Sequence, residues 1–479
     1  DPRLGTLGDF VDFTHRAQLL GLRVIVDLVI NHTSIDHPWF QEARKNKDSK
    51  YHDYYVWSDE KPDNADEGVI FPGVQESTWT YDEEAGQYYF HRFYKHQPDL
   101  NIANPDVQEE MRKIMGFWLE MGVEGFRIDA APFVVEMKHL KQVSEDDTKE
   151  NYLEFFRRFL QWRRRDAIMV AEANVAKENI SLYFGDGDRM HMLFNFIVNQ
   201  KLFASLAFET AEPLYEGYAE VPRAPAQAQW AQFLRNHDEL SLDKLDEDTR
   251  QKVFEKFAPK ESMRIYNRGI RRRLAPILGN DRRRIELANS LLLTLPGTPI
   301  IRYGQEIGMG DDLSLRERNS VRTPMQWSDE KNGGFSSANP KDLIRPVINE
   351  GEYGYKQVNV AQQRLTKDSL LKWMQDAIRM RLQCPEIGAG KFEVIQTEEP
   401  AVFAHRCSNE EGSVLVLHNF SAESVTVTIP VSDDTAYFIE LFNSEDDGQT
   451  QIECKGTCEL TLGAYGYRWL REKAEALVR

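Results

Sequence analysis

At 479 residues the chain is long enough for two or three domains around a large core, and 41% hydrophobic with 28% charged residues is an ordinary globular balance. A formal net charge of −18 argues against nucleic acid and anionic membrane surfaces as partners. No apolar stretch approaches the roughly 20 residues that cross a bilayer.

In chain order, β-rich runs alternate with helical patterns from residue 20 to about 305. Strands are predicted near 23–30, 123–129, 167–173, 192–196, 232–237 and 298–303. Such alternation implies a parallel sheet with crossover helices. Residues 33–98, with the aromatic run Tyr51 to Trp57, interrupt it and read as an inserted subdomain over the mouth of a barrel. A helix follows, capped by Asn104, opened by Pro105 and closed by Gly122, with Val107, Met111, Ile114 and Trp118 as its buried stripe.

From about 388 the texture becomes short β runs, Val414–Leu417 and Val425–Ile429, with Trp469 ending a last strand. This predicts an antiparallel β domain. The expected domains are therefore a barrel over 1–32 and 99–387, an insertion over 33–98, and a β-sandwich over 388–479. The basic runs Arg271–Arg273 and Arg282–Arg284 read as solvated helix faces or internal ion pairs. Four cysteines, Cys384, Cys407, Cys454 and Cys458, are sparse enough to suggest a reducing compartment, here the cytoplasm. Cys454 and Cys458 flank Lys-Gly-Thr, a hairpin turn by composition, and can pair if oxidised.

Four short motifs place carboxylates at strand ends: Val26-Asp27 to Asn31-His32, Gly125-Phe126-Arg127-Ile128-Asp129, Val170-Ala171-Glu172-Ala173-Asn174, and Leu234-Arg235-Asn236-His237-Asp238. In a parallel barrel, strand ends converge on one mouth, so distant residues become neighbours. Carboxylate pairs so placed break glycosidic bonds. Taken alone, an Arg-x-Asp is usually a surface ion pair, a lone histidine is more often structural, and Asp27 reads equally as a paired carboxylate or a site-shaping one.

Together with Gln97-Pro98-Asp99-Leu100-Asn101, these motifs resemble the signature regions of the α-amylase superfamily, glycoside hydrolase family 13. Arg235–Glu239, Met263–Pro276, Gly308–Ser314 and Arg322–Trp327 are similar to its trehalose synthase and α-glucosidase branch. The resemblance implies an eight-stranded (β/α) TIM barrel and a retaining mechanism on a small oligosaccharide or disaccharide. Asp129 is then the nucleophile and Glu172 the acid and base, its pKa raised in a closed site. Asp238 stabilises the positive transition state and grips sugar hydroxyls. Arg127 orients Asp129, while His32, Asn236 and His237 bind substrate. The resemblance also implies a structural calcium ion held by Asn31, Asp99, Glu136 and the carbonyls of Phe133 and Val134. No organic cofactor is implied, and a homo-oligomer is compatible with it.

The chain departs from the family pattern in two ways. Six strands are visible instead of eight, so the first two are expected upstream of Asp1, leaving an incomplete barrel. The segment from Ala130 to Asn151 is short, and Arg302 and Gln305 replace the usual aromatic and acidic choices. A looser lid admits water. The expected activity is therefore that of a retaining α-glucoside hydrolase or transglucosidase. Trehalose synthase, the maltose to trehalose rearrangement, is the alternative, and a non-catalytic sugar-binding or assembly relative comes third.

Overall fold

The structure is a computed structural model that describes residues 4–135, 152–431, 435–445, 451–454 and 456–474. It forms two compact units: Asp1–Phe194 with Pro222–Gln229, and Asn195–Val221 with Trp230–Arg479. Among the described residues, no helix is long and apolar enough to cross a membrane.

In the first unit, strands Val26–Leu28, Gly125–Ile128, Ile168–Ala171 and Met192–Phe194 pair in parallel in that order. They are shorter than expected because their polar ends exchange partners. At Asn31 the backbone has already left the sheet, its carbonyl accepting the Leu100 amide at 2.8 Å. Close packing requires Gly125, since a Cβ there would lie 2.5 Å from the Ile168 carbonyl oxygen.

Helix Pro105–Glu120 precedes the second of these strands, and Asn104 Oδ1 accepts the Asp106 amide at 2.9 Å to cap it. Its fully buried stripe is Val107, Met111 and Met115 rather than the expected Ile114 and Trp118. A strict four-residue spacing stays on one face over two turns, which moves Ile114 and Trp118 to the flank. There Trp118 meets Phe10, edge to face at 5.1 Å, from helix Leu7–Leu19. At Gly122 the chain turns with φ +91°, and a Cβ would meet Thr14 Oγ1 at 2.7 Å.

The segment between the first two parallel strands folds as a three-stranded antiparallel sheet, Trp57–Ser58, Gln87–Phe90 and Trp79–Asp82. Phe40 packs against Tyr55, Trp57 and Tyr89 with ring centroids 5.0–5.5 Å apart. Its ends meet: Thr33 N donates to Pro98 O at 3.1 Å, and His32 bridges Asp99.

The strand Gln229–Phe233, in the second unit from Trp230 on, pairs in parallel with Thr298–Ile300, Ala231 opposite Thr298. The strand expected at 232–237 thus ends at Phe233. Asn199 Nδ2 takes the carbonyls of Phe233 and Leu234 at 2.6 and 3.1 Å, leaving no ladder to continue. The C-terminal part is antiparallel. A six-stranded sheet runs Lys391–Ile395, Val402–Asn409, Gly412–Asn419, Tyr467–Ala474, Thr435–Asn443, Gln451–Glu453, and a two-stranded sheet joins Val425–Pro430 to Thr457–Leu462. The alternation of Val425–Ile429 faces Val427 and Ile429 inward, into a core with Leu415, Leu417, Phe438 and Leu470. On its other face the large sheet buries Phe403, Val416 and Trp469 in one core with Leu287 and Leu291 of helix Arg282–Thr294.

Two expectations change here. Trp469 lies near the start of its strand, not the end. The Cys454–Cys458 segment is no hairpin, because the strands on either side of it belong to different sheets.

Candidate active site

The register of the first unit makes neighbours of two residues distant in sequence. Ile128 lies opposite Ala171, so Asp129 and Glu172 each stand one residue past the end of adjacent strands. The Asp129 amide still donates to Leu28 O at 3.3 Å and that of Glu172 to Ile128 O at 3.2 Å, which carries both ladders to the rim. Immediately after Asp129 the chain breaks away through Ala130 at φ +52°, a left-handed conformation costly for a side-chain-bearing residue, and enters the short helix Ala131–Val135.

Arg127 organises this rim. Its Nη1 donates to Asp27 Oδ1 at 2.7 Å and to Asp129 Oδ1 at 3.0 Å, and its Nη2 contacts Glu172 Oε2. Burial alone would weaken its hold on the proton. The charges of Glu172, Asp27 and Asp129 outweigh that and raise its pKa above the ordinary value. Sequence reasoning paired Arg127 with Asp129 only. Asp27 is paired but not buried: its side chain is 60% exposed, against 14% for Arg127 and 19% for Glu172. Solvent weakens that pair most.

His32 stands beside this rim in sequence. Its Nε2 lies 3.0 Å from the Gln97 amide nitrogen and its ring 5.3 Å from Phe93. Asn31 and Asp99 are fully buried together, with Asn31 Nδ2 donating to Asp99 Oδ2 at 3.1 Å and the Arg92 amide donating to Asp99 Oδ1 at 2.9 Å. Phe133 joins the same neighbourhood, its ring 5.4 Å from Phe93 and beneath the Arg92 guanidinium. Asn31 and Asp99 carry oxygen atoms of the hard kind that calcium takes, and Phe133 reaches their neighbourhood through its ring. Glu136 and the rest of the segment to Asn151 lie outside the described residues. Among the described residues, no group of three or more His, Cys, Asp or Glu side chains forms a metal cluster.

In the second unit, Asn236, His237 and Asp238 form a tight turn, with Asn236 Oδ1 accepting the Asp238 amide at 2.9 Å. Asp238 is held by two arginines that sequence reasoning did not name as site residues. Arg318 Nη1 lies 3.0 Å from Oδ2, and Arg322 Nη2 contacts Oδ1 while its Nε donates to His237 O at 2.8 Å. Burial would push the Asp238 carboxyl up. Arg318, His237 and Arg322 more than offset this and hold it below the usual carboxylate range. Arg322 opens the motif Arg322–Trp327, which was the available signal; Arg318 had none. Arg302 turns out to be a clamp, donating to the carbonyls of Asn236 and Val321.

Residues 1–390 match the alpha amylase catalytic domain family, and residues 412–471 match the sucrose hydrolase-like C-terminal domain. The chain is 39% identical to "Trehalose synthase/amylase TreS" of Mycobacterium tuberculosis, over 98% of its own length and 79% of that protein. It is 43% identical to a trehalose synthase of Thermus thermophilus, over 97% of this chain and 48% of that one. Among solved structures, the α-amylase of H. orenii superposes with a TM-score of 0.74 at 28% identity, covering 98% of this chain and 84% of that chain. The chain belongs to the α-amylase family, whose members are glycoside hydrolases and transglycosylases, and it carries that family's barrel-type fold with a C-terminal antiparallel β domain.

Proposed function

We propose that this chain rearranges a short α-linked disaccharide, maltose to trehalose, by retaining double displacement. The observation that carries the mechanism is the rim arrangement: Asp129 and Glu172 at adjacent strand ends, both bound by Arg127. Asp129 attacks the anomeric carbon while Glu172 gives its proton to the leaving glycosidic oxygen, and a glucosyl ester and free glucose result. Glu172 then takes a proton from the anomeric hydroxyl of that glucose, whose oxygen displaces Asp129. Proton donation requires the contact between Glu172 and Arg127 to give way as substrate enters. Asp238, ionised through its arginines, is the third carboxylate of the scheme, stabilising positive charge on the sugar. His32, Asn236 and His237 contribute hydrogen bonds to the sugar.

Likeness to trehalose synthases along nearly the whole chain favours rearrangement over the hydrolysis expected from the short segment after Asp129. Hydrolysis or transfer is then the side reaction, when water or another acceptor reaches the ester first. The test is purified protein with maltose, products followed by chromatography. Trehalose as the main early product is expected. Glucose alone would reverse the order of the two readings, and no turnover of maltose, trehalose or sucrose would remove both.

The same reading includes a calcium ion held by Asn31, Asp99 and the Phe133 and Val134 carbonyls, with Glu136 as a further ligand. It would pin the inserted subdomain to the strand ends and take no part in the chemistry. It also includes two further strands completing the barrel. Supporting this, six parallel strands stand among the described residues, and Leu7, Phe13 and Leu19 expose apolar surface along the first helix.

A further inference from the structure

Strand Leu240–Ser241, directly after Asp238 and Glu239, pairs with Gly269–Ile270, which turns back onto Arg264–Ile265. Leu242 N donates to Arg268 O at 2.8 Å, and a Cβ on Gly269 would lie 2.6 Å from Glu239 Cγ, so this hairpin is pressed against the Asp238 segment. The Arg268 amide closes its turn by donating to Ile265 O at 3.3 Å, with Tyr266 at φ +55° and Asn267 at φ +57°. Two left-handed residues in succession suit Gly, Asn or Asp. Asn267 meets that demand. Tyr266 does not, and it is buried at 6% exposure. A left-handed aromatic residue persists only where its surroundings hold it, and such strain gathers at functional sites.

The groups that hold Tyr266 are charged. Its hydroxyl donates to Glu317 Oε1 at 2.8 Å, and Glu317 is itself left-handed at φ +48°. The Arg318 guanidinium stands over its ring 5.4 Å from the centroid, and that of Arg268 stands 5.7 Å from it. Both arginines serve the acids of the turn. Arg318 Nη1 lies 3.0 Å from Asp238 Oδ2 and its Nε 2.8 Å from Glu239 Oε2, while Arg268 Nη2 lies 3.7 Å from Glu239 Oε1. The short helix Glu317–Val321 is tied to the hairpin a second time, Ser320 Oγ donating to Arg271 O at 2.9 Å. Asp238 also faces Arg322 and, within its own turn, His237, with Arg235 and Arg302 acting from further off. Burial raises the Asp238 carboxyl, and Arg318 leads the charges that bring it down.

We propose that Tyr266 is a positioning residue for glycosyl transfer, its ring and hydroxyl fixing Arg318 against Asp238. An aromatic face attracts a guanidinium without taking its N–H groups, so these stay directed at the two carboxylates. Tyr266 touches no reacting atom, and its part in the reaction rests on the role of Asp238 proposed above.

The test is maltose kinetics of the intact protein and of Tyr266→Asn, Arg318→Gln and the two combined. Asn is at ease in the left-handed region, so Tyr266→Asn removes ring and hydroxyl without adding backbone strain. Expected for it are a kcat lower by roughly 10–100-fold with KM within about twofold, and an acid limb of the kcat profile displaced to higher pH as Asp238 loses Arg318. Adding Tyr266→Asn to Arg318→Gln should cost little more. Losses that multiply in the double variant, or a lower melting temperature with kcat unchanged, would make Tyr266 structural only and overturn the proposal. Should Tyr266→Asn fail to fold, Tyr266→Phe decides: it drops the hydroxyl alone and should lower kcat about threefold at unchanged KM, and a wild-type kcat in it refutes the assignment. An inactive wild type would remove the role of Asp238 and that of Tyr266 with it, whereas an active wild type with unaffected variants removes that of Tyr266 alone.

Discussion

Two histidines of the second unit predict how stability depends on pH. His405 and His418 are fully buried and stack with centroids 6.1 Å apart, where strands Val402–Asn409 and Gly412–Asn419 meet helix Arg282–Thr294. His405 Nε2 lies 3.1 Å from Thr294 O, and His418 Nε2 lies 2.9 Å from Ser290 Oγ, which also accepts from Trp469 Nε1 at 2.9 Å. Both Nδ1 atoms lack a partner among the described residues, so a proton added there would find no acceptor. Burial lowers His405 to about 4, and burial together with the charge of His405 puts His418 well below its ordinary value.

The unfolded chain binds these protons at about pH 6.5, so the contribution of His405 is full above that pH, falls through the interval down to about 4, and levels off below. From His405 alone, about 2 kcal/mol is lost between pH 8 and pH 5. His418 adds in the same direction. The assay is urea unfolding of wild type and His405→Gln at both pH values. The variant should be less stable at pH 8 but lose clearly less on going to pH 5. An equal loss in both proteins would refute the argument that these buried imidazoles set the acid limit.

Other outcomes follow from the sites. Asp129→Asn should remove nearly all turnover with an unchanged melting temperature; a fall in both would mean the residue is structural. Glu172→Gln should slow maltose by roughly 10²–10⁴-fold but spare aryl glucosides with good leaving groups, and equal losses on the two would rule out its acid role. Chelator should lower the melting temperature, with recovery on adding calcium but not magnesium; no shift would remove the ion. Cys454 and Cys458 are buried with their Sγ atoms 2.6 Å apart, although burial raises both thiols. Treatment with a disulfide-exchanging oxidant should therefore link them slowly. Peptide mapping that finds both still alkylatable after prolonged oxidation would count against the pair.

What the sequence by itself determined is local. The cap at Asn104, the turn at Gly122, the alternation of Val425–Ile429 and the polar strand ends holding Asp129 and Glu172 are written in adjacent residues, because hydrogen-bond geometry and side-chain periodicity act over a few positions. Tertiary structure alone decided which distant residues share charge. Arg318 and Arg322 reach Asp238 across about eighty residues, and Arg127 serves three carboxylates instead of one. Arg273, polar by composition, is buried beside Arg235 and Arg302, and two histidines from neighbouring strands stack in an apolar core. The strands on either side of Cys454–Cys458 part into different sheets although a turn was legible between them. Such pairings arise only when the chain folds back on itself, since burial and Coulomb energy depend on spatial neighbours that no short stretch of sequence contains.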